Sequence, residues 1–138
     1  MEPIVIYTDG SCTPNPGRGG WAYAIIHPPL VIQGSGYEEK TTNNRMELTA
    51  VIQGLLHAID LFDSSYIIYV DSEYVVKVLT SQKVPKKNQD LWKQYKKISR
   101  NKKMAFHWIK AHDGNRYNEM VDKLAKHAGL SKHFQTYG

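Results

Sequence analysis

Four acids, Asp9, Glu47, Asp71 and Asp122, stand where a carboxylate could do more than keep a surface soluble. Asp9 and Asp71 each follow an apolar, β-prone run, Ile4-Val5-Ile6-Tyr7 and Tyr66-Ile67-Ile68-Tyr69-Val70, of the kind that tolerates no charge in its middle. In open sheets with parallel strands, ligand sites gather beyond the carboxyl ends of the strands, so both side chains are expected at one edge of the sheet. Neighbouring carboxylates repel, and they stay ionised together mainly when a cation lies between them. Each acid also has a plainer explanation. An aspartate after a strand can start a turn or cap a helix. Glu47 lies three residues past Asn44, the spacing of a capping box, and taken alone it is better explained that way. Asp122, between Val121 and Leu124 in a helical pattern, has poor helix propensity and no cap to make, although solvent would accept it.

The elements that must position these acids follow from periodicity. Ile4–Tyr7 predicts a strand ending at Asp9-Gly10, and a Gly/Pro loop spans Thr13 to Gly20. Trp21–Ile26 and Leu30–Tyr37 read as an antiparallel pair joined through His27-Pro28-Pro29. From Asn44, an apolar stripe of Leu48, Val51, Ile52, Leu55, Leu56 and Ile59 predicts the first helix. A strand over Tyr66–Val70, a short helix over Glu73–Leu79 and a basic helix over Asp90–Arg100 come next. A strand over Met104–Ile109 and a helix over Asn118–His127 close the chain. Strand, helix, strand in that order implies parallel pairing with a right-handed crossover. The fold class is α/β, with a mixed five-stranded sheet and helices packed on it.

The chain has 138 residues, enough for one domain with its own core, and no linker or low-complexity tract divides it; residues 1–138 are expected to form a single domain. Its apolar runs are too short to span a membrane, and its start lacks the basic flank and apolar region of a signal peptide, so no membrane partner is expected. The lone Cys12 excludes an internal disulfide and a multi-cysteine zinc site, which suits a reducing compartment; the expected location is the cytoplasm. A net charge of +5 tilts the choice of partner only modestly toward polyanions. The charge is concentrated from Lys83 to Lys103, interleaved with Trp92 and Tyr95, as either a solvated helix face or a phosphate-binding surface. Trp92, beside Leu91, reads as a core anchor of its helix.

Taken together, Tyr7-Thr8-Asp9-Gly10-Ser11, Asn43-Asn44-Arg45-Met46-Glu47-Leu48, Val70-Asp71-Ser72-Glu73-Tyr74-Val75, Trp108-Ile109-Lys110-Ala111-His112 and Asn118-Glu119 with Asp122-Lys123-Leu124-Ala125 resemble the ribonuclease H type 1 family, in that family's order and over nearly the whole chain. The resemblance implies a ribonuclease H-like fold, three antiparallel strands then parallel ones, with helices on both faces. It also implies an endonuclease that hydrolyses the RNA strand of an RNA/DNA hybrid and leaves 5′-phosphate and 3′-hydroxyl ends. By the same resemblance Asp9, Glu47, Asp71 and Asp122 hold two Mg²⁺ ions, with Mn²⁺ as a substitute. Hard oxygen ligands suit these ions, and two of them can stabilise both the attacking and the leaving oxygen. His112 corresponds to a histidine in a mobile loop that moves a proton or aids product release.

For the substrate, the resemblance points to Gly10, Ser11 and Cys12 along the RNA strand, to Asn15, Asn43 and Asn44 in the minor groove, and to Thr42 and Asn88 at a phosphate of the DNA strand. Glu73 stands where many members carry glutamine, which changes the base contact and adds a negative charge. Ala111 and Asp113 replace a more usual glycine and small residue beside His112. The Thr80–Gln89 segment is short and lacks the basic, tryptophan-bearing insertion of longer members. Hybrid affinity is therefore expected to rest on the Lys83–Lys103 cluster. The protein is expected to act as a monomer, and an association with the replication machinery fits either primer removal or the clearing of stray hybrids. Two rivals share the fold: a hybrid-binding module that no longer cuts, and a nuclease that acts on DNA.

Overall fold

The computed structural model describes residues 2–111 and 113–130 in full, and residues 131, 135 and 136 as backbone. Its elements run β1 (Ile4–Cys12), β2 (Gly17–His27), β3 (Leu30–Thr41), α1 (Asn43–Leu61), β4 (Tyr66–Val70), α2 (Glu73–Thr80), α3 (Gln89–Ser99), β5 (Met104–Trp108), α4 (Arg116–Ser131) and β6 (Gln135–Thr136). The sheet order is β5-β4-β1-β2-β3-β6. β1, β2 and β3 are antiparallel, and β1, β4 and β5 are parallel, the mixed arrangement that the pattern of apolar runs implies. The sequence does not foreshadow β6, whose two residues pair with Gly34 and Ser35 at the far edge of β3.

Period-two alternation along the strands divides the core into two layers. Ile4 and Ile6 of β1, Tyr23 and Ile25 of β2, and Tyr66, Ile68 and Val70 of β4 meet α1, α2 and α3 on one face. Ala22 and Ala24 of β2 meet Val121 and Ala125 of α4 on the other. Leu48, Val51, Ile52 and Leu55 of α1 are fully buried, each removing enough apolar surface to contribute about 1.5–3 kcal/mol. Leu56 departs from the expected stripe: it lies in α1 at the margin of the buried face and is 37% exposed. In α3 the core anchors are Leu91 and Tyr95; Trp92 is half-buried with the Lys96 ammonium over its ring, which corrects its reading as the anchor. No helix among the described residues is long and apolar enough to cross a membrane.

Several strands are longer than their apolar runs. β1 continues through Asp9 to Cys12, and β2 begins at Gly17, inside the stretch expected to be loop. Paired backbone explains this, because Asp9 lies opposite Ala22 and Cys12 opposite Gly19, and their ladder is indifferent to the polar side chains it carries.

Candidate active site

The parallel pairing of β1 with β4 ends at Tyr7 and Tyr69, whereas β1 stays paired with β2 up to Cys12. Asp9 and Asp71 each lie two residues past that last pair, so the two acids flank the gap where the parallel strands part. Asp9 thus stands inside a strand, not after one; it is tolerated there because its β4 side is already open. On the β5 side, Ile109 N–H donates to the Val70 carbonyl at 2.8 Å and Trp108 Nε1 donates to the Asp71 carbonyl at 3.2 Å, which fixes the backbone carrying Asp71.

Glu47 arrives from α1. A Cβ on Gly10 would lie 2.3 Å from Glu47 N and 2.4 Å from the Met46 carbonyl carbon, so only a glycine lets the helix's first turns rest directly on β1. As a result, Asp9, Glu47 and Asp71 each present a carboxylate oxygen within 4.8 Å of the others. Asp122 enters from α4 on the opposite face, close enough to hydrogen-bond the Asp9 carboxyl, and forms an ion pair with Lys126 at 3.1 Å. It stands beside the three-acid cluster, outside the set that converges.

The plainer explanations of Glu47 and Asp71 fail here. The α1 cap is Thr42, whose Oγ1 accepts from Arg45 N–H at 3.1 Å, so Glu47 lies beyond reach of a capping box. The α2 cap is Ser72, whose Oγ accepts from Val75 N–H at 3.3 Å, one residue after Asp71. Burial, followed by the adjacent Asp71 carboxylate, pushes the Asp9 carboxyl up to about 8. Burial first, then Asp9 and Asp71, holds Glu47 well above the usual carboxylate range. Glu47 Oε2 is buried with no hydrogen-bond partner. A buried, unpartnered carboxylate oxygen among like charges suits a hard divalent cation, and the all-oxygen donor set fits Mg²⁺ or Mn²⁺ better than zinc.

A pH dependence follows. In the metal-free fold the Asp9 carboxyl holds a proton that the unfolded chain releases near pH 4, so its burden on stability is absent below that pH, grows as pH rises from there, and levels off above about 8. The chelated protein is expected to melt at a lower temperature at about pH 9 than at about pH 6, and Mg²⁺ is expected to raise the midpoint more at the higher pH. Thermal melts with and without chelator read this directly; a midpoint that climbs with pH in chelator would contradict it.

The candidate substrate residues divide into two groups. Asn43 Oδ1 accepts from Cys12 N–H at 2.7 Å, and Asn15 Oδ1 accepts from Asn43 N–H at 3.2 Å, so these amides lace the end of β1 to the start of α1. Cys12 is buried with its thiol against the Pro14 and Thr41 carbonyls; only its backbone remains for a ligand. Gly10 is glycine because of α1, a different reason from the close approach to RNA that its sequence context suggests. Asn15, Thr42, Asn44 and Asn88 come together with Lys86 and Lys87 around a groove of about 480 Å³. Asn88 adopts a left-handed backbone (φ 57°) and its amide donates to the Tyr74 hydroxyl at 3.3 Å. Glu73 is exposed at the start of α2 and is not among the converging acids, so it adds no charge to the cluster itself. Ser11 faces a separate cleft beside α4. His112 lies outside the described residues.

Sequence reasoning missed three supports. Lys126 was legible, four residues after Asp122 at helical spacing. Trp108 was not, because its bond to the Asp71 carbonyl depends on how β5 ends. Arg45 was not either: its guanidinium takes both Asp90 oxygens (2.7 and 3.1 Å) and Glu38 (3.3 Å), tying α1 to α3 and β3.

Comparison with known proteins agrees with this geometry. The RNase H family model matches residues 1–129. A ribonuclease H of Campylobacter jejuni is 43% identical over 136 residues, covering 94% of this chain and 93% of that protein. One from a Thermoanaerobacter species is 42% identical, covering 91% and 88%. Among solved structures, an N-terminal RNase H domain from Mycobacterium tuberculosis superposes with a TM-score of 0.84 at 22% identity, covering 96% of each chain. LC11-RNase H1, solved in complex with RNA/DNA hybrid, matches with a TM-score of 0.73 at 25% identity, over 93% of this chain and 99% of that one. By sequence over nearly its full length, and by a fold shared with solved RNase H domains, the chain belongs to the RNase H family of nucleases.

Proposed function

We propose that the protein cuts the RNA strand of RNA/DNA hybrids, with Asp9, Glu47, Asp71 and Asp122 holding two Mg²⁺ ions, or Mn²⁺ in their place. The observation that carries this reading is the meeting of three carboxylates from β1, α1 and the end of β4 within 4.8 Å, one of their oxygens buried without a partner. When bound, a pair of such ions supplies a nucleophile from water at neutral pH and neutralises charge on the attacking and leaving oxygens. In-line attack by water leaves a 5′-phosphate and a 3′-hydroxyl. The chain's own part is to aim the carboxylates from three directions, with Asp9 and Glu47 buried and Asp71 half-exposed. Asp122, pulled by Lys126, completes the set from the α4 side.

Hybrid selection rests on the Asn15, Asn43 and Asn44 amides, which can donate to and accept from a 2′-hydroxyl, and on Gly10, Ser11, Cys12 and Glu73 along the minor groove. Thr42 and Asn88, with Lys86 and Lys87 in the same groove, form a polar and cationic seat for a phosphate of the DNA strand. His112 moves a proton or assists release, so His112→Ala is expected to slow turnover far less than Asp9→Asn. The protein works as a monomer in the cytoplasm, and association with the replication machinery is compatible with this activity.

The deciding experiment offers labelled RNA/DNA, double-stranded RNA, double-stranded DNA and single strands, each with Mg²⁺, Mn²⁺ or chelator. Cleavage confined to the RNA of the hybrid and abolished by chelator is expected. Binding without cutting, or cutting of DNA, would replace this reading with one of its rivals. Because the basic cluster supplies the grip, hybrid affinity is expected to fall at least about 50-fold between about 50 and 200 mM salt, the slope of three to four phosphate contacts. An affinity nearly independent of salt would remove the cluster from the interface.

A further inference from the structure

A second cleft, of about 440 Å³, opens on the α4 side of the sheet and shares none of its lining residues with the Thr42 groove. Ser11, Thr13 and Arg18 line it from the ends of β1 and β2, and Lys126, Gly129 and Leu130 line it from α4. It forms because α4 lies directly on β2 along one seam: a Cβ on Gly20 would fall 2.1 Å from the Ala125 carbonyl oxygen and 2.5 Å from Gly129 N. Beside that seam the helix and the strand ends part.

The cleft sets two cations, Arg18 and Lys126, into a mostly apolar wall. Arg18 lies with its guanidinium over the Tyr37 ring at 5.7 Å, which holds the fork in place. Its Nε and Nη2 are shielded from solvent and have no hydrogen-bond acceptor. No carboxylate among the described residues forms an ion pair with it. Unmade donors on a charged group are costly, so an acceptor that enters the cleft gains by drawing the guanidinium out from the ring toward it. Lys126 adds an ammonium, 3.1 Å from Asp122, where the cleft meets the acids. Ser11, two residues past Asp9 on the same face of β1, is about 7 Å farther along the strand.

The geometry points to a phosphate-binding subsite for the RNA strand: Arg18, with Lys126 and the Ser11 hydroxyl, takes the phosphodiester that adjoins the one cut over Asp9, Glu47 and Asp71. This deepens the hybrid-nuclease reading and rests on it. It gives each strand its own cationic contact and offsets the repulsion that four carboxylates exert on the substrate's own charge. Arg18 acts here by binding.

The test pairs Arg18→Gln and Arg18→Lys with hybrids in which single RNA phosphates are replaced by neutral methylphosphonate links. Arg18→Gln is expected to raise KM about tenfold, with the loss falling on KM and not on kcat, and Arg18→Lys to recover part of it. The slope of log affinity against log salt is expected to fall by about one. For the unaltered protein, one neutral link next to the cut is expected to weaken binding about as much as Arg18→Gln does, and in Arg18→Gln that link should add nothing further. Equal penalties for that link in both proteins would overturn the subsite. So would a flat methylphosphonate profile with the unaltered protein, which needs no variant to fold. Cutting of the hybrid with that flat profile sinks this subsite alone, whereas failure of the folded, unaltered protein to bind hybrid at all sinks the hybrid-nuclease reading as well.

Discussion

Asp9→Asn is expected to lower kcat by at least about 10³-fold, equivalent to about 4 kcal/mol of barrier, while leaving the fold intact. The side chain keeps its shape and can still accept from Gly10 N–H, as Asp9 Oδ1 does at 2.9 Å, so β1 should stay in register. What is lost is a charge from the heart of the cluster: Asp9 lies within 4.8 Å of Glu47 and Asp71, and Asp122 is near enough to help push its carboxyl up. The same substitution should do the opposite to the metal-free protein. Removing one of several repelling, buried carboxylates is expected to hold or raise its melting midpoint and to flatten the decline with pH, because Asp9 titrates up near 8 in the fold. Mg²⁺ should then stabilise the variant less than it stabilises the unaltered protein. A variant that loses activity together with its folded signal, or one whose Mg²⁺ response is unchanged, would show that Asp9 serves the fold and not the metal.

Gly10→Ala should be among the most damaging of the small substitutions. Backbone atoms of Met46 and Glu47 lie 2.3–2.4 Å from where the new methyl would sit, and backbone on both sides leaves nothing flexible to yield. Either β1 or the first turns of α1 must shift. Overpacking of this kind costs about 3 kcal/mol or more, roughly 10 °C in the melting midpoint of a domain this size. The site should suffer in parallel, because that contact delivers Glu47 to Asp9. Thermal melts and Mg²⁺ titration of the same sample measure both effects. A midpoint within about 2 °C of the unaltered protein would mean that the helix can stand off without cost, and that the close approach is not what aims Glu47.

Both predictions depend on contacts that the amino-acid pattern does not express. Hydrophobic periodicity reports which residues are buried and at what spacing, and here it located β1 to β5 and all four helices, because each carries a stripe or run that has to face a core. It also put Asp71 at a strand end, and helical spacing set Lys126 four residues from Asp122. The motifs around the acids named the family.

Tertiary structure alone decided where ladders stop and which of several competent residues takes each role. Asp9 is inside β1 because pairing with β2 outlasts pairing with β4, a fact about three strands at once. Both Thr42 and Asn44 can cap a helix. Thr42 does so, while Asn43 is drawn to Cys12 N–H, and that choice frees Glu47 from capping. The cleft that Arg18 lines likewise exists only because α4 lies on β2 along the Gly20 seam. Burial pattern is a local property and survives in the sequence; the end of a ladder, the winner among caps and the meeting of distant charges are set by packing between segments, and only the folded chain contains them.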